Sequence, residues 1–199
     1  IAERSNNIKR LTMWLLKTAF IHLKTIQKSG HAIKISVNLS SKMLNDNGFP
    51  RIISNVARKE NVVPQDVQLE IMESSVLENP ERTLSMLKQL KDDGFHITVS
   101  GFGTGYSSFN YLTNVYVDLL KIDRDLLLKF SPSSALIIRT IIELAHTLEI
   151  EVVAEGVEND ALIALMKELK ADYMQGFHFS VPLNAADILS WLVENKKLA

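Results

Sequence analysis

The stretch that decides the fold is Ile97-Thr98-Val99-Ser100-Gly101-Phe102-Gly103-Thr104-Gly105-Tyr106-Ser107-Ser108. It begins as a run rich in β-branched residues, which favour a pleated strand. It then breaks into a glycine-rich loop, where glycine permits positive φ angles and a close approach of the backbone. In α/β proteins, ligands bind where a parallel strand ends in such a loop. The stretch therefore predicts a central strand and, at its end, the edge of a functional site.

Strands and helices alternate on both sides of this stretch. Six strands separated by helices predict a parallel sheet with helical crossovers. A (β/α)8 barrel needs eight strands, so we expect an α/β fold of TIM type whose first two strands are missing from the chain. The strands are predicted at residues 33–38, 67–71, 95–100, 117–122, 151–154 and 172–174, and the main helices at 6–28, 49–59, 80–93, 132–148, 159–170 and 184–195.

The composition is that of one soluble domain, residues 1–199, with 46% hydrophobic and 23% charged residues. Twenty-two basic and 23 acidic residues give a net charge of −1, which argues against a nucleic-acid or anionic-membrane partner. Because cysteine is absent, disulfides and cysteine-ligated zinc are excluded. No apolar run approaches the ~18 residues of a transmembrane helix. We expect a cytoplasmic domain that begins inside a longer chain, with a membrane-anchored parent left open.

The first predicted helix is apolar along much of its length. Its expected buried stripe ends at Ile26, and helical spacing also indicates core positions for Trp14 and Phe20. Ser5 or Asn6 is the expected N-cap, and Gly30 the end. The remaining members of the expected stripe are Ile8, Leu11, Leu15, Ala19 and Leu23.

A polar residue lies at or near the end of each predicted strand. Because parallel strands present their carboxyl ends at one edge of a barrel, we expect these side chains to converge there. Any one of them alone is more simply a capping or solvated residue, whereas six in phase predict a site. The six are Asn38, Glu70, Ser100, Lys121, Glu155 and Gln175, with Glu73 three residues after Glu70.

A series of motifs, in order over residues 1–185, resembles those of the EAL domain, the bacterial phosphodiesterase that linearises cyclic di-GMP. As a set these motifs are far more specific than a single glycine-rich loop. They are Ser-Val-Asn-Leu-Ser (36–40), Leu-Glu-Ile-Met-Glu-Ser (69–74), the loop Phe-Gly-Thr-Gly-Tyr-Ser-Ser (102–108), Leu-Lys-Ile-Asp-Arg (120–124), Val-Val-Ala-Glu-Gly-Val-Glu (152–158), and Gln-Gly-Phe (175–177) followed by Pro-Leu (182–183).

The resemblance implies a role for each residue that matches the family's motifs. It assigns metal binding to Asn38 and Glu70, and activation of the catalytic water to Lys121 and Glu155. Nucleotide contacts would come from these four residues together with Gln175. Anchoring of the glycine-rich loop would fall to Glu73, and the family's cofactor is Mg²⁺ or Mn²⁺.

Two departures from the family's pattern put its chemistry in doubt. Two adjacent aspartates of the family are here Ser100 and Gly101, and the Glu-Ala-Leu strand, with its metal-binding Glu and nearby Arg, does not occur in these residues. Two-cation phosphodiester hydrolysis needs several carboxylate oxygens around metals about 3.5–4 Å apart. A serine hydroxyl is a poor neutral ligand and glycine offers no side chain. We therefore expect no tightly bound metal pair.

Three hypotheses follow in order of preference. The first is a catalytically inactive EAL domain that binds cyclic di-GMP as a receptor or regulatory module. The second is a protein-interaction scaffold that binds no nucleotide, and the third is a weakly active phosphodiesterase with substitute ligands. The expected partners are cyclic di-GMP, another protein or an upstream GGDEF or sensor domain, and a second copy of the chain in a homodimer; no nucleic acid is expected.

Overall fold

The computed structural model describes residues 7–103, 116–128 and 132–195. In this part of the chain six parallel strands form one curled sheet, and each strand pairs with the next in sequence. The predicted parallel sheet and TIM-type α/β fold are confirmed. The strands are β1 (Ile35–Asn38), β2 (Val67–Met72), β3 (His96–Phe102), β4 (Leu119–Ile122), β5 (Glu151–Glu155) and β6 (Tyr173–Gln175).

Helices connect the strands, as the alternating pattern predicts. The prediction missed α2, α4 and α6, because helices of 4 to 6 residues are too short to show a helical period. The described helices are α1 (Ile8–Lys28), α2 (Ser41–Leu44), α3 (Phe49–Lys59), α4 (Glu73–Glu78), α5 (Pro80–Asp92), α6 (Arg124–Leu128), α7 (Pro132–Thr147), α8 (Asp160–Glu168) and α9 (Ala185–Glu194).

The two faces of the sheet differ in polarity. Side chains alternate between faces along a strand, and the residues next to the polar positions belong to a buried apolar cluster shared with the helices. On the other face, here called the inner face, Glu70 of β2 and Glu155 of β5 both contact Lys121 of β4. The fold therefore separates an apolar layer that supports the helices from a polar layer that faces inward.

The apolar stripe predicted for α1 is partly wrong. The buried residues are Thr12, Leu16, Phe20, Leu23 and Ile26. Leu11 and Leu15 of the predicted stripe are exposed, and Trp14, predicted to be core, is 63% exposed. The helix carries apolar residues on two adjacent faces, so apolar spacing cannot tell which face packs on the sheet. Among the described residues, no helix is both long and apolar enough to cross a membrane.

Candidate functional site

Three charged side chains meet on the inner face, near the carboxyl ends of β2, β4 and β5. Lys121 Nζ lies 2.9 Å from Glu70 Oε2 and 2.8 Å from Glu155 Oε1. The Ser36 hydroxyl donates a further hydrogen bond to Glu70 Oε2 at 3.1 Å. The side chains of Lys121 and Glu70 are each 9% exposed, and that of Glu155 is 24% exposed. This charged trio, Glu70, Lys121 and Glu155, is the centre of the candidate site.

Two opposing influences set the charge state of Lys121. Burial is the largest single influence and disfavours the ammonium form. The hydrogen bonds with Glu155 and Glu70, together with the attraction of both carboxylates, outweigh burial and raise the pKa of Lys121 above its usual value. Lys121 is therefore a fixed cation at neutral pH, held between two carboxylates.

Asn38 and Gln175 lie beside the charged trio in the sheet register. Asn38 pairs with Glu70 across β1 and β2, and Gln175 pairs with Glu155 across β5 and β6. Because paired residues of parallel strands point to the same face, both amides belong to the inner face. Both are exposed, so they can contact a ligand at this edge of the sheet.

A β-bulge marks the two positions where the family has aspartates. Val99 pairs with Leu120 and Phe102 with Ile122, so Ser100 and Gly101 together lie opposite Lys121. β-Bulges re-aim side chains and are common beside active sites. The strand was predicted to end at Ser100 and instead continues through the bulge to Phe102.

The bulge places its two residues in different conformational settings. The Ser100 side chain is buried, and its hydroxyl donates to the carbonyl oxygen of Ile71 over 3.4 Å. Gly101 has a φ of +73°, in the left-handed region, and a Cβ placed there would meet no described atom within 4 Å. Among the described residues the second position therefore has room for a side chain, but its backbone favours glycine.

Thr98 is an inner-face residue that sequence analysis did not single out. It pairs in register with Glu70 on one side and Leu119 on the other. The side chain is fully buried, and its hydroxyl has no hydrogen-bond partner in the described part of the chain. An unpaired buried hydroxyl is destabilising. The signal was available in the two-residue alternation along β3, which places Thr98 on the same face as Ser100.

Glu73 begins α4 and is 5% exposed. Its predicted task is to anchor the glycine-rich loop, of which residues 104–108 lie outside the described residues. The anchoring role therefore stays a prediction. Burial of a carboxylate at this position, one residue after β2, is compatible with it.

The donor groups of this site do not fit a pair of divalent cations. Hard dications such as Mg²⁺ need several oxygen ligands, mostly carboxylates. Both carboxylates of the charged trio are paired with Lys121, and the bulge supplies one hydroxyl and no carboxylate. In the described residues no three His, Cys, Asp or Glu side chains are grouped so that they could hold a metal ion. The absence of a tightly bound metal pair remains a prediction, supported by this donor chemistry.

The curled parallel sheet with its connecting helices defines an α/β domain of TIM-like fold, and the charged trio lies near the carboxyl ends of its strands. The sequence profile of the EAL domain matches residues 1–182 of the chain. The chain therefore belongs to the EAL domain family, as its motifs predict.

Relatives and solved structures support the same assignment. MucR of Pseudomonas aeruginosa, a bifunctional diguanylate cyclase/cyclic di-GMP phosphodiesterase, is 32% identical over 193 residues, which are 96% of this chain and 28% of MucR. The solved PaMucR phosphodiesterase, a c-di-GMP complex, has a TM-score of 0.90 at 32% identity over 94% of this chain and 77% of that one. The EAL domain of Mycobacterium smegmatis DcpA has a TM-score of 0.87 at 30% identity, over 93% and 84% of the two chains. The chain spans about a quarter of the length of the curated relatives it matches.

Proposed function

We propose that this EAL domain binds cyclic di-GMP without a metal ion and without hydrolysing it, as a receptor or regulatory module in cyclic di-GMP signalling. The observation that carries the proposal is that one edge of the sheet keeps the polar residues of the family's motifs but lacks the two aspartates. The polar residues on β1, β2, β4, β5 and β6 keep a common face, whereas the two carboxylates of the β3 bulge are replaced by Ser100 and Gly101.

The groups that remain suit recognition better than hydrolysis. The exposed amides of Asn38 and Gln175 offer donors and acceptors to a nucleobase edge. The Lys121 ammonium can donate to a phosphodiester oxygen. With both carboxylates ionised, the charged trio carries one net negative charge, so it gives a dianionic ligand little electrostatic attraction. We therefore expect an affinity in the micromolar range or weaker.

Hydrolysis requires groups that this site does not provide. A metal-bound water becomes a nucleophile at neutral pH because the cation lowers its pKa. Lys121 is already held by two carboxylates, and the inner face offers no cluster of acidic ligands among the described residues. Lys121 can therefore donate to a phosphodiester oxygen, but among the described residues neither Lys121 nor Glu155 has beside it the acidic cluster that would hold a cation and activate a water.

Isothermal titration calorimetry with cyclic di-GMP, in Mg²⁺ and again in excess chelator, tests the proposal. We expect the same weak binding in both buffers. Gln175→Ala removes one exposed amide and should weaken binding about fivefold, since a typical hydrogen bond contributes about 1 kcal/mol. Gln89→Ala, at another exposed glutamine in the last turn of α5, is the matched control and should bind as the unchanged protein does.

Two results would overturn the receptor hypothesis. The first is no heat of binding at high protein concentration, which would favour the scaffold hypothesis. The second is conversion of cyclic di-GMP to the linear dinucleotide in Mg²⁺ or Mn²⁺ that Glu70→Ala abolishes, which would show an active phosphodiesterase. Chromatography of the nucleotides after overnight incubation measures this conversion directly.

We further propose that the domain works as part of a larger signalling protein in the cytoplasm. In support, the chain covers about a quarter of its curated relatives, and one of them is described as bifunctional. An upstream GGDEF or sensor domain, or a separate protein, would then receive the signal when the nucleotide binds. Sequencing the coding region on both sides of this chain, followed by fractionation of cells, tests both statements.

A further inference from the structure

The helix α1 is strongly basic, although the whole chain is close to neutral. In α1, residues 8–28 include five lysine or arginine residues and no aspartate or glutamate. Since the whole chain has a net charge of −1, acidic residues elsewhere balance this helix. The net charge of the whole chain argues against an anionic-membrane partner. That argument does not apply to α1 alone, because this helix is basic. The five basic residues of α1 are Lys9, Arg10, Lys17, Lys24 and Lys28.

The outward side of α1 is apolar along its middle. Trp14 is 63% exposed and Ile21 is 46% exposed. Successive residues of an α-helix turn by about 100°, so these two, seven positions apart, share one line. That line lies roughly opposite the buried residues Leu16, Phe20 and Leu23. Leu11 and Leu15, 46% and 39% exposed, widen the apolar area on one side.

Cations border the same line on its other side. Arg10, Lys17 and Lys28 fall at nearly the same angle around the helix, next to Trp14 and Ile21. All three are exposed. Within the described residues none of them is in an ion pair, in contrast to Lys9, whose Nζ lies 2.6 Å from Asp46 Oδ2. The charges of these three residues are therefore available to a partner.

We propose that this α1 outer face, formed by Arg10, Leu11, Trp14, Leu15, Lys17, Ile21 and Lys28, docks on the surface of an anionic lipid bilayer. Helices that lie in the membrane interface combine Lys and Arg on one side with Trp and Leu on the other. Tryptophan is favoured at that depth because its ring is apolar and its N–H is polar. Juxtamembrane cations are attracted to anionic headgroups within a Debye length.

The shape of the face supports a flat partner. α1 has 21 residues, so it is about 30 Å long at ~1.5 Å per residue. The cations span residues 10–28 and the exposed apolar residues span 11–21, so the two rows run side by side along about half of that length on the outside of the fold. A bilayer surface meets both rows at once, with the apolar row in the headgroup layer and the cations beside phosphate groups.

Flotation of the 199-residue protein with lipid vesicles tests the proposal. We expect binding to vesicles of phosphatidylcholine with 40% phosphatidylglycerol and little binding to phosphatidylcholine alone, and loss of binding in high salt. Trp14 supplies a second readout, because the chain has only one other tryptophan, Trp191. In a Trp191→Phe background, the emission of Trp14 should shift to shorter wavelength when anionic vesicles are added.

Charge reversal provides the matched comparison. Arg10→Glu with Lys17→Glu should weaken binding to anionic vesicles by at least about 25-fold, since each cation near such a surface contributes roughly fivefold. Arg58→Glu with Lys59→Glu changes the net charge equally, at two exposed residues of α3, and should weaken binding far less. Circular dichroism checks that both variants fold.

Several outcomes would overturn the proposal. They are equal binding to neutral and anionic vesicles, no binding to either, and equal losses from the two charge reversals. A Trp14 emission that is already blue-shifted without vesicles and unchanged by them would show that a second copy or another segment covers the face. Trp14→Ala keeps the charges and should weaken anionic binding, whereas full binding by this variant would contradict the apolar part of the proposal.

Discussion

The surroundings of Lys121 depend on the tertiary structure. Its two carboxylate partners lie 51 and 34 positions away in the sequence, on β2 and β5. Removing the ammonium leaves Glu70 buried without its cation. The loss of one member of a buried ion pair is strongly destabilising, because the remaining charge is no longer compensated.

Lys121→Met should therefore lower the free energy of unfolding at pH 7 by about 3 kcal/mol, the lower end of the range for a broken buried pair, since Glu155 is partly exposed. Adding Glu70→Gln should recover part of the loss, because no unpaired buried carboxylate then remains. Urea denaturation of the three proteins measures both effects. An unchanged stability of the single variant would contradict the arrangement of the charged trio.

The pH dependence of stability follows from the pKa of Lys121. The pKa is raised in the folded protein above the ordinary value of 10.5, so the folded state holds this proton more tightly than the unfolded state does. The stabilising contribution is therefore complete below that value and is lost as the pH rises through the raised pKa. The difference in stability between the unchanged protein and Lys121→Met should be constant from pH 7 to 9 and should shrink above about pH 10.5.

Restoring the two aspartates at the bulge tests whether their loss is the reason that no tightly bound metal pair is expected. The double substitution Ser100→Asp with Gly101→Asp should give the chain a measurable affinity for Mn²⁺. Calorimetry measures this affinity. Position 101 has open space among the described residues but a φ of +73°. Aspartate and asparagine tolerate that region better than most residues do, so we expect a folded but less stable protein.

Ser100→Asn with Gly101→Asn is the matched control for this reversal. It has the same shape and the same backbone strain, without the two negative charges. We expect a similar loss of stability and no gain in Mn²⁺ affinity. Equal Mn²⁺ binding by the two double variants would show that charge at the bulge is not the limiting feature.

At the scale of the elements, one connection recurs three times at the amino end of the sheet. Asp66, Asp118 and Asp172 each lie directly before a strand: β2, β4 and β6. Each carboxylate is bound by a side chain from a helix that comes earlier in the chain: Gln27 of α1 to Asp66 at 2.8 Å, Lys91 of α5 to Asp118, and His146 of α7 to Asp172 at 2.9 Å. In each case the helix lies before one strand in the sequence and contacts the aspartate at the start of the next strand in the sheet.

Two of these aspartates also hold the neighbouring strand directly. Asp118 Oδ2 accepts the backbone N–H of Ile97 at 2.7 Å, and Asp172 Oδ2 accepts that of Val152 at 2.7 Å. Asp118→Ala removes the acceptor and should lower the free energy of unfolding by about 1–3 kcal/mol, the cost of leaving a buried N–H unpaired. Asp118→Asn keeps an acceptor and should cost less.

Asp92→Ala provides the comparison for this prediction. Asp92 pairs with Lys88 at 2.7 Å on the surface of α5, and its side chain is 62% exposed. Exposed ion pairs contribute about 0–1 kcal/mol, so this variant should be nearly as stable as the unchanged protein. Thermal unfolding of Asp118→Ala, Asp118→Asn and Asp92→Ala under the same conditions gives the order of their stabilities. Equal losses for Asp92→Ala and Asp118→Ala would count against a special role of the recurring aspartates.

At the scale of the whole molecule, the family resemblance predicts a homodimer that pairs near the glycine-rich loop and the lysine strand. α7 follows that strand and exposes two large apolar side chains, Leu136 at 65% and Ile137 at 49%. Leu136→Glu should lower the molar mass measured by light scattering from that of a dimer to that of a monomer. Val193→Glu on α9, where Val193 is 57% exposed, is the control and should leave the dimer intact. A monomer at high concentration for the unchanged chain would contradict the prediction.

The sequence by itself determined the features that depend on neighbouring residues. α3 spans Phe49–Lys59 and α5 begins at Pro80 after Asn79, as predicted. Apolar runs, a proline at the first helical position and helix-ending glycines act within a few residues of the chain, so they are visible without the fold. The motifs likewise placed the chain in its family, because their order along the chain is itself sequence information.

The tertiary structure alone decided which groups touch. The buried face of α1 could not be chosen from its spacing, because two of its faces are apolar and only packing on the sheet selects Leu16 and Phe20 over Leu11 and Leu15. The bulge at Ser100 and Gly101 depends on the register between β3 and β4. The contact of Glu70 with Lys121 depends on the order of the strands, which places β2 and β4 on either side of β3. Such contacts join residues far apart in the chain, and no local pattern of residue types encodes their distances.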